Sequence, residues 1–412
     1  MGRLVPLSIP NFEGNEEKYV LDAVKQGWVS TGGAYITRLE ELLAEYTGAK
    51  RVAACQSGTA ALHLALMECG AGPGDLVIVP ALTFIAAVNP VRYQFADPIF
   101  MDCDDSLCMD PVKLTRFCEE ACELRTARKD GRSAKDSQPL GEGAGETEEY
   151  LVYKKTGQRI RAVVVVHVFG NLADMEAIMD IAAAYRLRVV EDATEALGSV
   201  YTEGRYAGRM AGTIGDFGAY SFNGNKIITT GGGGAVTAAD PKELEHIHYI
   251  STQAKDDPLF YLHNETGYNY RMTNLQAALG VAQMEELPEF IRRKARNYQL
   301  YKECLRDWEK GELLPFREGT KPNYWFYSLV LKEGVQSQED VYRLVLQLQE
   351  AGVQTRPVWG LIHEQKPYQS CAAYEIERAV YYSRRIINLP CSTQLTEEEL
   401  EYVAEAIKKI CK

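Results

Sequence analysis

Asp192 and Lys226 stand 34 positions apart, each beside an apolar, strand-like run. Asp192 ends such a run in "VVEDATEALGS"; Lys226 follows "GDFGAYSF" and precedes four consecutive glycines in "SFNGNKIITTGGGG". A carboxylate at a buried strand end is costly unless a cation or several donors meet it. A lysine that is desolvated and aimed by a rigid frame condenses with carbonyl groups. An acid for a protonated ring nitrogen and a lysine for an aldehyde are the pair that pyridoxal phosphate requires. The separation leaves room for a strand, a turn and a second strand. Each residue alone also has a plainer reading, Asp192 as a turn cap and Lys226 as one solvated lysine among many.

A phosphate would need its own cradle. In "CQSGTAALHLAL" a strand ends, Ser57-Gly58-Thr59 turns, and an alanine-rich helix begins. The first N–H groups of a helix lack partners and carry partial positive charge, so an anion fits there; an ordinary N-cap by Ser57 or Thr59 is the competing reading. The glycine run Gly231–Gly234 fails both phosphate-loop patterns. Lys226 lies between Asn225 and Ile227, not in a Gly-Lys-Ser/Thr sequence, and the glycines open a strand-like "AVTAAD" rather than a helix. Their expected role is steric, as space beside a ligand or a second chain. Glu195, three residues after Asp192, reaches the same pocket.

No metal site is expected. His246 and His248 are two apart and would face away from each other on a helix. His167, at the end of a buried strand, reads as a structural residue lining the pocket rather than a general base. Ten cysteines occur without a CxxC, and Cys118 and Cys122, at helical spacing, read as buried free thiols.

The elements that must hold these residues alternate. Strands apolar on both faces, such as "RAVVVVHVFGN" and "LRVVED", are separated by amphipathic helices such as "DMEAIMDIAAAYR". That pattern predicts an α/β fold with a mainly parallel sheet sandwiched by helices. Ligands in such sheets bind at the carboxyl ends of the strands, here Ser57–Thr59, Thr83–Phe84, His167–Gly170 and Glu191–Glu195. Residues 124–150 are charged, rich in Gly and Ser and poor in large apolar residues, and are expected to form a flexible surface insertion. After Leu287-Pro288 the texture changes, which suggests a large domain, 1–287, and a small α+β domain, 288–412. Thr396 and Glu399 have capping-box spacing for a last helix.

A net charge of −12 argues against nonspecific nucleic-acid binding. No apolar run is long enough to span a bilayer, and the amino terminus lacks a signal-like core, so no membrane partner and a cytoplasmic location are expected.

Taken together, "SGTAALHLAL", "PALTFIAAVN", "VVVVHVFGNLADM", "VVEDATEALGS", "GDFGAYSFNGNKIITTGGGG", "GYNYRMTNLQAALG", "RPVW" and "LPCSTQLTEEEL" resemble the DegT-type sugar aminotransferases. These are pyridoxal-phosphate enzymes of fold type I, and the likeness covers nearly the whole chain outside the insertion. The resemblance implies that Lys226 holds the cofactor covalently and then moves the proton. It implies that Asp192 pairs with the pyridinium and that Phe84 stacks on the ring. Gly58, Thr59 and Ser221 would bind the phosphate. Asn269, in "GYNYRM", would reach the cofactor phosphate of a partner subunit, which makes a homodimer with a shared active site. Trp28, Ser30 and Thr31, in "QGWVSTGG", would contact the sugar nucleotide.

Many members have Gln where this chain has Glu195, beside the cofactor's phenolic oxygen. Members that dehydrate have His at the lysine position, whereas this chain has Lys226. The likeness favours glutamate as donor and C4 of a UDP-linked 4-keto-6-deoxy-N-acetylhexosamine as acceptor, as in bacillosamine and legionaminic acid pathways. A GDP-perosamine-type synthase, another fold-type-I activity and a non-catalytic regulator are the other readings. "RPVWGLIH" could bring Arg356 or His363 near a substrate, with no role assigned.

Overall fold

The computed structural model describes residues 3–128, 147–257, 259–332, 335 and 337–411. In chain order the strands are β1 Ala53–Cys55, β2 Leu76–Pro80, β3 Asp97–Met101, β4 Cys122–Arg128, β5 Thr147–Tyr153, β6 Arg159–Val166, β7 Arg188–Asp192 and β8 Val200–Tyr201. They continue as β9 Phe217–Ser221, β10 Gly234–Ala238, β11 Gly311–Leu313, β12 Thr320–Lys321, β13 Tyr327–Leu331, β14 Arg356–Pro357, β15 Ala372–Tyr374 and β16 Ile386–Leu389.

Ten strands build one sheet in the order β1-β10-β9-β7-β6-β2-β3-β15, with β5 added to β6 and β4 to β5. From β9 through β15 the neighbours on this path are parallel, while β10 is antiparallel to both of its neighbours, β9 and β1. Parallel neighbours need long crossovers. The helices Asn89–Tyr93 and Met175–Tyr185 supply two of them, between β2 and β3 and between β6 and β7. Ala162 through Val165 are fully buried, which requires cover on both faces of β6. The mainly parallel α/β sheet read from the sequence is therefore the observed one.

Part of the expected loop at 124–150 is strand. Leu124–Arg128 and Thr147–Tyr150 belong to β4 and β5, which pair antiparallel from Cys122↔Tyr153 to Arg128↔Thr147. The loop reading fails there because these strands are largely exposed and show no apolar alternation. Backbone pairing, rather than a buried face, defines them. Residues 129–146 lie outside the described residues.

The helix Asn274–Cys304 runs for 31 residues with Pro288 inside it. The sequence suggests a helix start after Pro288, yet Thr273 and Gln276 form a capping box well upstream of it. Packing on both sides overrides the local proline penalty: Ala277, Ala278 and Val281 are buried before it, Phe290 and Tyr298 after it. The strands β11-β13-β16-β14 form a second, antiparallel sheet. The helices Gln338–Glu350 and Glu397–Ile410 follow capping boxes at Ser337 and Thr396.

We propose that the chain's two lobes divide near Leu287–Pro288, within the long helix. Several contacts cross that division. Leu7 accepts the Cys391 N–H at 2.7 Å, and the Ile9 N–H donates to Ser392 Oγ at 3.0 Å. β15 pairs with β3, and β12 pairs with β8. Buried Asp102, just past β3, accepts the Lys113 ammonium at 2.8 Å and the N–H groups of Glu377, Arg378 and Ala379. Among the described residues no helix is long and apolar enough to cross a membrane.

Within the glycine run, Gly231 is needed for its φ of 79° and Gly234 for its space. Gly234 pairs with Ser221 and with Cys55, and a Cβ on it would lie 2.5 Å from the Ser57 backbone. Gly234→Ala should therefore destabilise the protein by about 1–3 kcal/mol, the usual cost of overpacking. The expected reading is a lower Tm; an unchanged Tm would show that the Ser57 turn gives way freely.

Candidate active site

Parallel pairing of Val166 with Asp192, and of Asp192 with Ala219, aligns the carboxyl ends of β6, β7 and β9. A cleft of about 650 Å³ opens there. Seven residues singled out in the sequence line it together: Gly58, Thr59, Phe84, Asp192, Glu195, Ser221 and Lys226. The register explains the convergence. Ser221 pairs with Gly234, which pairs with Cys55, so the Ser57 turn comes to lie beside the end of β9.

Of the two readings of the Ser57 turn, the N-cap is the one observed. Ser57 Oγ caps the helix Gly58–Glu68 by accepting the Ala60 N–H at 3.0 Å. That leaves the N–H groups of Gly58 and Thr59 without intrahelical acceptors. A Cβ at Gly58 would meet Ser221 Cβ at 2.8 Å and Thr194 Cγ2 at 2.9 Å, so only glycine lets the serine approach this close.

Two adjacent carboxylates have opposite environments. Glu191 is fully buried, on the side of β7 away from the cleft. Burial pushes its pKa up, but hydrogen bonds from His167 and from the backbone of Gly215 and Gly212 outweigh this and hold it below the usual value. The Ala173 N–H donates to His167 Nδ1 at 3.2 Å, so Nε2 carries the proton that faces Glu191 Oε2 at 2.9 Å. His167 thus braces Glu191 and does not line the cleft, contrary to the expectation that it would. Asp192 is 3% exposed and, among the described residues, accepts a single backbone N–H, that of Thr194 at 3.1 Å. Burial raises its pKa, with Thr194 and then Lys226 opposing.

Glu195 lies between two donors. Its Oε2 accepts the Phe169 N–H at 2.8 Å, and its Oε1 stands 3.5 Å from Lys226 Nζ. Burial lifts its pKa to about 7, against the pull of Lys226 and the Phe169 N–H. The carboxylate is therefore turned toward the lysine.

These residues fit pyridoxal phosphate. Asp192 is a buried acid with too few donors, which a protonated ring nitrogen would complete. Gly58, Thr59 and Ser221 form a compact donor cluster for a phosphate. Lys226, with its side chain 12% exposed, is the cleft amine.

The second lobe supplies a wall that the sequence reading largely missed. Trp325, Phe326, Tyr342, Arg356, Trp359 and Asn388 line the same cleft. Phe169 faces them from the first lobe in a left-handed conformation, φ 56°, with its ring 4.6 Å from that of Trp359. The aromatic clusters in "NYWFY" and "RPVW" were the available signal. Among the described residues, Arg356 is the only cleft cation besides Lys226.

Four further candidates are not brought to this cleft within one chain. Thr31 and Asn269 line a separate depression with Lys255 and Arg271. Trp28 and Ser30 sit on an exposed turn held by Asn274, which donates to the Trp28 carbonyl at 2.7 Å and to the Ser30 carbonyl at 2.6 Å.

The Glu195 shift has a measurable consequence in cofactor-free protein. Below about pH 4.5 folded and unfolded chains both hold the proton; up to about pH 7 only the folded chain does; above that the full penalty is present. Glu195 thus lowers stability as pH rises from about 4.5 to 7. Glu195→Gln should flatten that part of a plot of Tm against pH and raise Tm more at pH 8 than at pH 5. Parallel wild-type and variant curves would contradict this.

The chain matches the family model "DegT/DnrJ/EryC1/StrS aminotransferase family" over residues 10–126 and 146–408. It is 33% identical to the GDP-perosamine synthase of Caulobacter vibrioides over 98% of both chains. It is also 33% identical to EpsN of Bacillus subtilis, covering 99% of this chain and 96% of that one. The crystal structure of the aminotransferase TlmJ from Streptoalloteichus hindustanus superposes with a TM-score of 0.81 at 23% identity, over 99% and 98% of the two chains. With Lys226, Asp192 and the Gly58 helix start in one cleft, the chain belongs to the DegT/DnrJ/EryC1/StrS family of pyridoxal-phosphate-dependent sugar aminotransferases.

Proposed function

We propose that the protein transfers an amino group from glutamate to C4 of a nucleotide-linked 4-keto-6-deoxy sugar, with a UDP-linked N-acetylhexosamine as the first candidate. The observation that carries this reading is the convergence of Lys226, Asp192 and the Gly58 helix start in one cleft. When bound, pyridoxal phosphate supplies the aldehyde that takes up the amino group and the ring that delocalises the electron pair left behind. Asp192 holds the ring nitrogen's proton and so keeps the ring electron-poor. Gly58, Thr59 and Ser221 hold the phosphate. The Lys226 amine takes the proton from one carbon and returns it to another. Phe84, Phe169 and Trp359 exclude water around that transfer. Arg356, whose guanidinium donates to the Thr355 carbonyl at 3.0 Å, faces an anionic group of the substrate.

A GDP-linked 4-keto sugar is the second reading, supported by the relative named GDP-perosamine synthase. The purified protein should absorb at roughly 400–430 nm, the range of the bound chromophore, and Lys226→Ala should lose that band. Glutamate should bleach it, and one member of a panel of UDP-, GDP- and dTDP-linked 4-keto sugars should restore it. If glutamate bleaches the band and no keto sugar restores it, the acceptor assignment is wrong.

We further propose a cytoplasmic homodimer in which the depression holding Thr31 and Asn269 completes the partner's cleft, with Trp28 and Ser30 nearby as sugar-nucleotide contacts. Exposed apolar groups such as Phe95, 78% exposed, and Trp28, 61% exposed, support a covering partner. Lys226→Ala and Asn269→Ala would each be inactive alone. Dissociated, mixed and reassociated, they should recover up to about a quarter of native activity, because half the dimers carry one intact site. No recovery, with mixed dimers demonstrated, would place Asn269 in its own chain's site.

A further inference from the structure

The reactive lysine is gripped from the second lobe. Trp325 lies 3% exposed just before β13 and lines the cleft. The Lys226 Nζ stands 4.2 Å from the centre of its ring. The indole Nε1–H donates to the carbonyl of Asn225, the residue before the lysine, at 2.8 Å. A cation over an indole face is attracted by the ring quadrupole, more so when desolvated. Two independent contacts from one side chain therefore fix the lysine's amine and the backbone that carries it.

The same segment holds the other side of the charge pair. The fully buried Asn323 donates from Nδ2 to the Glu195 carbonyl at 2.9 Å and to the Leu197 carbonyl at 3.0 Å. Its Oδ1 accepts the Trp325 N–H at 2.9 Å. Trp325 itself is immobilised against Phe326 and Phe169, with ring centres 4.2 Å and 6.1 Å away. Residues 323–325 thus form a brace that reaches Glu195 through one side chain and Lys226 through another.

We propose that Trp325 is a positioning residue for Lys226: its ring face and its N–H aim the amine before the cofactor arrives. This rests on the assignment of Lys226 as the cofactor-binding lysine. A pre-aimed amine loses less freedom on capture, so the effect appears in cofactor binding itself and not only in turnover.

The test is a double-mutant cycle on cofactor-free protein. Trp325→Leu removes both contacts, and Trp325→Phe keeps a ring face without the donor. Each is made in the native and the Lys226→Ala backgrounds, with fold checked by Tm and circular dichroism. Dissociation constants for pyridoxal phosphate are measured by equilibrium dialysis, and its capture rate by growth of absorbance. With Lys226 present, Trp325→Leu should weaken retention roughly three- to thirty-fold, the span of a desolvated cation–ring contact, with Trp325→Phe intermediate. With Lys226→Ala, both substitutions should have less than about a two-fold effect. Equal losses in both backgrounds would make Trp325 a wall that packs on the cofactor, and no loss in either would end the proposal. If native protein fails to develop the band at all, the reading of Lys226 fails instead.

Discussion

The site depends on one carboxylate that the fold buries without neutralising. Glu191 and Asp192 are neighbours on β7, and a strand sends consecutive side chains to opposite faces. Behind the sheet Glu191 collects three backbone N–H groups, from Gly212, Ile214 and Gly215, together with the His167 ring. On the cleft side Asp192 has one backbone donor. The first arrangement stabilises an ionised acid, and the second leaves an acid whose pKa burial raises. Such an acid is tolerated where a cationic partner completes it, and the proposed partner is the protonated ring of pyridoxal phosphate.

Around this acid the backbone must come very close. Gly58 and Gly234 stand at the crossing of the Ser57 turn, the end of β9 and the start of β10, and side chains there would strike Ser221 and the Ser57 backbone. Close approach concentrates the free N–H groups of a helix start and a serine hydroxyl in one small volume, an arrangement suited to an anion. The glycine run is conspicuous in the sequence, but its members differ. Gly231 serves a turn, Gly232 and Gly233 line the cleft, and Gly234 provides clearance.

The second lobe is more than a cover. Leu7 and Ile9, near the amino terminus, hydrogen-bond to the segment Cys391–Ser392, and β15 from the second lobe extends the large sheet. Asp102 ties that sheet to the start of the helix Arg378–Ser383. These ties fix the aromatic wall of Trp325, Phe326 and Trp359 against Phe169, whose left-handed backbone is sustained by the packing around it. The wall lines the same cleft as Lys226, Asp192 and Glu195.

The sequence by itself determined the sheet type and the chemistry. Runs such as "VVVV" before His167 fit a strand covered on both faces, as parallel sheets require, and Asp192, Lys226 and the Ser57–Thr59 turn each lie where a strand ends or a helix begins. Local pattern suffices there, because strand periodicity and helix capping act over a few residues. It was insufficient for β4 and β5, where polar residues pair through backbone alone, and for the long helix, where packing on both sides carries the chain through Pro288. Only the tertiary structure decided that Glu195 turns toward Lys226, that His167 braces Glu191 behind the sheet, and that Trp325, 99 residues beyond Lys226 in the chain, lies against its amine. These are contacts between residues far apart in sequence. Their distances are set by how two sheets pack, and no spacing along the chain encodes that directly.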